Sequence, residues 1–196
     1  VQAPAEAEAQ AAYMAMKGDV WASSSRDYDS LLFGTPRLIR YLTISGREFL
    51  PSKGIFRPLK PELIILEDFL SRIKITREQL VDLAILIGTD FNEGVKGIGP
   101  KKALKLLRKY SKIENLPREI RDNVPSNYEE IRKIFLEPEV IDEYSLGYRD
   151  PMENELYEFL CVEKGFSRQR VKKAISRMKS AIKQMQQPSL GFWMKK

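Results

Sequence analysis

Apolar and polar positions change their period along this chain, and the changes mark out its elements. Residues 4–18, PAEAEAQAAYMAMKG, carry alanine and methionine at helical spacing, which predicts a helix with Pro4 in its first turn and Gly18 as its stop. DVWASSS (19–25) reads as a short buried strand running into the polar turn SRDYDS, and PRLIRYLTI (36–44) as a second strand rich in β-branched and aromatic residues. FLPSKGIFRPLKP (49–61) reads as a proline-containing connection, and PELIILEDFLSRI (61–73) as a helix. Thr76 and Gln79 form a capping box ahead of LVDLAILIG (80–88), whose helix stops at Gly88. A glycine-rich turn then opens the basic helix PKKALKLLRKY (100–110). Helical patterns follow over 126–138 and 152–165, and Ser167 caps a long basic helix over 168–185. Early strands alternating with helices, followed by helices alone, predict an α/β sheet with a helical appendage.

Composition narrows the chemistry more than the fold. The chain has 196 residues, enough for one sizeable core or one core plus a small satellite. It has no histidine and one cysteine, Cys161, which excludes a Ser–His triad, a histidine base, an internal disulfide and a multi-cysteine zinc site. No stretch approaches the roughly 18 apolar residues of a membrane span, and no signal peptide is evident at the start, so an intracellular protein without a membrane partner is expected. The net charge of +6 hides a block pattern. Residues 1–90 hold 11 basic and 12 acidic side chains, 91–135 hold 11 and 6, 136–160 hold 1 and 8, and 161–196 hold 10 and 1. A basic block is also what a solvated helix face looks like. Two of them flanking an acidic centre make a footprint for a polyanion.

Glu6–Ala7–Glu8 and Asp27–Tyr28–Asp29 are acidic pairs at i, i+2 spacing. On a strand or its exit that spacing puts both carboxylates on one side. On an ideal helix it separates them by about 200°. The aspartates therefore suit the C-terminal edge of the 19–25 strand, where open α/β sheets place ligands. The glutamates converge only at an irregular helix start. Asp90 follows an apolar helix end and is a third solitary carboxylate. Acids sharing one site require cations, because like charges raise one another's pKa, and all-oxygen ligation suits Mg²⁺ or Mn²⁺. By spacing alone, these acids read more readily as surface residues, since AEAEA is a good solvated helix by composition.

Gly97–Ile98–Gly99–Pro100–Lys101–Lys102 has the form of a helix–hairpin–helix turn, in which glycines bring backbone N–H groups close to phosphate. Lys101, Lys102, Lys105, Arg108 and Lys109 add positive charge beside it. Such an element grips a duplex backbone without reading sequence. The tail from Gln187 holds Leu190, Phe192, Trp193 and Met194, large apolar groups of the kind that mark a binding surface or a plug folded back on the domain.

In order, the segments APAEAEA (3–9), RDYDSLLFG (26–34), LIGTDFN (86–92), GIGPK (97–101) and FLEPEV (135–140) resemble the flap endonuclease family, within the wider group of 5′ structure-specific nucleases that includes exonuclease 1 and the Holliday-junction resolvase. The similarity covers nearly the whole chain, and the histidine-free, lysine-rich character looks archaeal. The resemblance implies an α/β fold: a partial PIN-like nuclease core with a parallel-type sheet over residues 1–75, a helical DNA-binding extension over 76–185, and a sliding-clamp-binding tail over 186–196. It implies a monomeric, Mg²⁺-dependent nuclease acting on branched or flap double-stranded DNA. Glu6, Glu8, Asp27, Asp29 and Asp90 match ligands for two Mg²⁺ ions, which Mn²⁺ can replace. Gly94, Val95, Gly97, Ile98, Gly99, Lys101, Lys102 and Lys105 match the duplex-binding hairpin, with K⁺ at its carbonyls. Gln187, Leu190, Phe192, Trp193 and Met194 match the clamp box, where Met194 stands in place of an aromatic. The family pattern begins more than a hundred residues earlier, with further acidic ligands and an arch. An incomplete metal site is therefore expected here. The competing expectation is a DNA- and clamp-binding module without catalysis.

Overall fold

The computed structural model describes residues 1–43, 45–147 and 150–186. The predicted tail residues Gln187, Leu190, Phe192, Trp193 and Met194 lie outside them. Two compact units are present, residues 1–144 and 145–196.

The first unit opens with α1 (Ala7–Lys17), which buries Ala9, Ala12, Met14 and Ala15 and ends at Gly18 in the left-handed region, φ 80°. The helix starts later than expected: Pro4 lies ahead of it, and Glu6 is its extended N-cap residue, φ −69° and ψ 125°. Strand β1 is only Ser23–Ser24, and the one-turn helix α2 is Asp29–Leu32. Strand β2 (Arg37–Arg40) is central, pairing parallel with β1 and antiparallel with β5 (Glu62–Ile65). The sheet is therefore mixed, its parallel part confined to β1 and β2. Antiparallel β5 occupies the start of the segment expected to be wholly helical. Leu63, Ile64 and Ile65 pair there with Ile39, Leu38 and Arg37, before helix α3 (Leu66–Ile73) begins. β-branched residues in a short run favour the strand, and α3 starts only at Leu66, with the acidic pair Glu67 and Asp68 in its first turn.

The expected connection over 49–61 is for the most part a hairpin. Strands β3 (Arg47–Leu50) and β4 (Ile55–Pro58) pair antiparallel, and the turn closes through Gly54, whose N–H donates to the Leu50 carbonyl at 2.9 Å. Its prolines sit in the turn and at the end of β4, where they cost no ladder bond.

Helix α4 (Arg77–Ile87) has the predicted capping box, with the Gln79 N–H on Thr76 and the Gln79 carboxamide returning to the Thr76 N–H. Helix α5 (Pro100–Tyr110) begins with proline at its first position. A 3₁₀ turn (Ile113–Asn115), α6 (Arg118–Arg121) and α7 (Tyr128–Leu136) complete the unit. One core runs through it, joining Ala12, Leu38, Leu66, Val81, Ile85, Leu107, Ile131 and Phe135, and it is continuous across residues 75 and 76. In the second unit α8 (Glu153–Tyr157) continues into a π-helical turn (Glu158–Glu163). After it, α9 (Arg168–Gln186) buries Val171 and Ile175 and pairs Lys179 with Glu153.

Candidate metal centre and nucleic-acid interface

Three chain breaks in regular structure bring the acids together. Glu6 and Glu8 lie at the irregular start of α1, so their i, i+2 spacing is not spent on opposite helix faces. Asp27 follows β1 in an irregular turn, and Asp29 is the first residue of α2. Asp90 sits in the tight turn after α4, between Thr89 and Asn92, whose backbones bond each other at 2.9 and 3.1 Å. The Asn92 side chain pins that turn to the Ile85 carbonyl at 2.8 Å. All five acids line one recess of about 170 Å³, with Phe33, Phe91 and Phe135 as its apolar wall. The Phe135 ring centre is 5.1 Å from that of Phe33 and 5.6 Å from that of Phe91.

Ser25 links the two acidic pairs. Its hydroxyl donates to Glu8 Oε1 at 3.3 Å and accepts the Asp27 N–H at 3.1 Å. The Arg77 guanidinium crosses behind the recess, donating to the Leu32 carbonyl at 3.0 Å and the Phe135 carbonyl at 2.8 Å. Gln10 clamps the chain after α7 onto α1, giving a 3.0 Å bond to the Ile141 carbonyl and taking a 2.8 Å bond from its N–H. Sequence reasoning missed these three residues, because all their partners but the Asp27 N–H on Ser25 are distant in the chain. FLEPEV was the available signal, since its Phe135 is a wall of the recess.

Negative charge in the recess is uncompensated by basic side chains. None of the five acids forms an ion pair among the described residues. Burial, followed by the charges of Asp27, Asp90, Glu8 and Glu6, pushes the Asp29 carboxyl up to about 6. Among the described residues no three of these acids stand close enough to form a ready-made ligand cluster.

The predicted hairpin leads from α4 into α5. Gly94, φ 78°, is compelled to be glycine, because a Cβ there would stand 2.5 Å from the Ile87 carbonyl carbon. Val95 and Ile98 turn their side chains into the core, and their N–H groups bond the Leu86 and Val95 carbonyls at 2.9 and 3.0 Å. They therefore anchor the turn through both their side chains and their N–H groups, and the Val95 carbonyl closes it. Gly97, Gly99, Lys101, Lys102 and Lys105 are exposed, and among the described residues the N–H groups of Gly97, Gly99 and Lys101 have no backbone acceptor. Lys102 reaches the Gly97 carbonyl at 3.4 Å. Arg108, expected to add to this anion-binding end, instead donates to the Ile73 carbonyl at 2.9 and 2.6 Å and joins α5 to α3.

A family profile described as XPG I-region matches residues 1–90. Flap endonuclease 1 of Pyrococcus abyssi is 55% identical over 194 residues, which is 98% of this chain and 56% of that protein. Flap endonuclease 1 of Archaeoglobus fulgidus is 53% identical over 180 residues, 92% of this chain and 53% of that protein. Among solved structures, flap endonuclease-1 from Methanococcus jannaschii aligns with TM-score 0.77 at 42% identity, covering 91% of this chain and 51% of that one. The catalytic core of Rad2 in complex with DNA substrate aligns at TM-score 0.70 and 19% identity, a likeness of fold, over 91% of this chain and 62% of that one. The fold is thus that of an XPG-type nuclease core. Within that class the chain is similar over almost its whole length to flap endonucleases, and it spans about half the length of the curated relatives it matches.

Proposed function

We propose that the complete protein containing this chain is a structure-specific 5′ flap endonuclease and 5′ exonuclease of DNA replication and repair, with this chain supplying part of its metal site and its duplex grip. The observation that carries the proposal is that five carboxylates from separate parts of the chain, none of them ion-paired among the described residues, line one recess, where burial and then the neighbouring charges lift Asp29 to about 6. Such a donor set fits hard divalent cations, Mg²⁺ or Mn²⁺, because oxygen ligands are all it offers and bound positive charge would relieve its repulsion. Glu6, Glu8, Asp27, Asp29 and Asp90 would hold two ions, which when bound polarise a phosphodiester and lower the pKa of water.

The remaining roles belong to this chain's own groups. The N–H groups of Gly97, Gly99 and Lys101 bind a backbone phosphate at the positive end of α5, and Lys101, Lys102 and Lys105 add charge without reading bases. Asp90 and Gly94 lie four positions apart, so a duplex held at the hairpin is held in register with the acids. The wall of Phe33, Phe91 and Phe135 restricts water around the carboxylates. The carbonyls of the Gly94–Gly99 turn would hold K⁺, which would steady the duplex grip. Gln187, Leu190, Phe192, Trp193 and Met194 dock on a sliding clamp. Residues 1–75 would supply four of the acids, 76–185 would supply Asp90 and the duplex-binding hairpin, and 186–196 the clamp-binding tail, in a monomer that works inside the cell.

The test compares the complete protein with its Asp90→Asn variant on 5′-flap DNA in Mg²⁺. Cleavage should fall at least 100-fold while DNA affinity stays within about threefold, as for loss of a group used only in the reaction. Equal rates for the two proteins overturn the assignment. This chain alone should bind flap DNA without cutting it.

A further inference from the structure

Residues 25–28, which carry Asp27 and lead into Asp29, belong to no helix or strand, yet one side chain holds them from the sheet. Arg40 closes β2 and is 9% exposed. Its guanidinium donates to the Arg26 carbonyl from Nε at 3.2 Å and from Nη2 at 3.1 Å. It also donates to the Tyr41 hydroxyl at 2.9 Å and to the Tyr28 hydroxyl, and lies 3.5 Å from the Glu62 carboxylate on β5. The guanidinium carbon is 3.9 Å from the Tyr28 ring centre and 4.5 Å from that of Tyr41. Tyr41 has φ 58°, a left-handed conformation that bulky residues rarely adopt.

Arg40 is therefore a planar cation enclosed by two rings, with three of its four hydrogen bonds directed at the two residues flanking Asp27. Although it lies beside the acidic segment, it pairs with none of the five recess acids, so it holds the segment without neutralising it. A second hold comes from outside, where the Arg26 side chain meets Glu48 of β3 at 3.3 Å.

We infer that Arg40 is a positioning residue for the acidic recess, fixing the backbone from which Asp27 and Asp29 project before a cation arrives. The inference rests on the metal reading above. Lysine cannot substitute, because a point-like ammonium cannot bridge a carbonyl and two hydroxyls in one plane while lying between two rings.

The experiment measures Mn²⁺ affinity by calorimetry on the complete protein without DNA, for the parent, Arg40→Gln, Arg40→Lys and Asp29→Asn. Outer partners of ligating carboxylates govern affinity by about 10- to 100-fold. Arg40→Gln should weaken Mn²⁺ binding at least tenfold and raise the Mg²⁺ concentration giving half-maximal cleavage, with flap-DNA affinity in Ca²⁺ unchanged within threefold. Arg40→Lys should recover only part of the loss. If Arg40→Gln does not fold, the Tyr28→Phe/Tyr41→Phe pair, which keeps both rings and removes both hydroxyls, is measured instead. An affinity within twofold of the parent in the variant that folds overturns the inference, provided Asp29→Asn binds weakly. If Asp29→Asn also binds as the parent does, the recess is not the metal site and both readings fall together.

Discussion

Asp29 is the residue at which the recess's electrostatics can be read most directly. Burial and four neighbouring acids hold its carboxyl near 6, above the ordinary aspartate range, so the folded chain binds this proton more tightly than the unfolded chain does. The stability linked to that proton is complete below the unfolded value of about 3.9 and is lost as pH rises through about 6. At pH 8 without metal, ionised Asp29 therefore opposes folding. Asp29→Asn removes the opposition. Discounting for the half-exposed position leaves a gain of about 1 kcal/mol, or roughly 2–4 °C in Tm at pH 8, with none at pH 3.5. Thermal melts of the metal-free chain at the two pH values check this, and an equal effect at both contradicts it. Gly94 and Gly97 make a sharper pair, since both have positive φ but only Gly94 lacks room for a Cβ. Gly97→Ala should cost about 1 kcal/mol for the left-handed backbone alone. Gly94→Ala, which must also push the α4 end away, should cost at least about 3 kcal/mol in urea unfolding.

At the scale of elements, α4 is joined to the last helices of the first unit by the shared core, by Arg77 on the Phe135 carbonyl and by one buried acid. Asp82 is 3% exposed and accepts from Arg132 of α7 at 2.7 Å and from the Ile113 N–H at 3.2 Å. Arg132 also reaches Glu114 at 2.7 Å. Burial raises the Asp82 pKa, and the Arg132 pairing and the Ile113 bond oppose that shift without cancelling it. Arg132→Met strands the acid in the core and should cost about 3–5 kcal/mol, whereas Glu114→Gln, at a partly exposed partner, should cost under about 1 kcal/mol. Denaturant titration separates them, and comparable losses would mean the network is not centred on Asp82. Local signals made much of this legible from sequence. The capping box at Thr76, the stops at Gly18 and Gly88, and proline opening α5 all depend on neighbours a few positions away. The β3–β4 hairpin was not legible, because Pro51, Gly54 and Pro58 punctuate it as they would a linker and cross-strand pairing is a non-local property. The recess was legible as a list of acids. Its supports, Ser25, Arg40 and Arg77, were not, since each works through carbonyls or hydroxyls that no spacing rule identifies.

For the molecule as a whole, the charge blocks assign separate tasks to separate regions, and salt dependence tests that division. Residues 91–135 carry a surplus of five basic side chains, but Arg108 is engaged with Ile73 and Arg132 with Asp82 and Glu114. Lys101, Lys102 and Lys105 remain exposed on α5 beside the hairpin. Each phosphate they neutralise releases counterions and adds about 0.9 to the slope of log affinity against log salt. Replacing all three by glutamine in the complete protein should flatten that slope by about 2–3 and weaken flap and plain duplex alike, because no base is read. Asp90→Asn should leave the slope unchanged in Ca²⁺, since the acids act on the reacting phosphate and not on the held duplex. Fluorescence anisotropy between 50 and 300 mM KCl measures both. An unchanged slope in the triple variant would move the duplex grip to the basic helix α9, whose charge over 168–186 is the only other surplus of comparable size among the described residues.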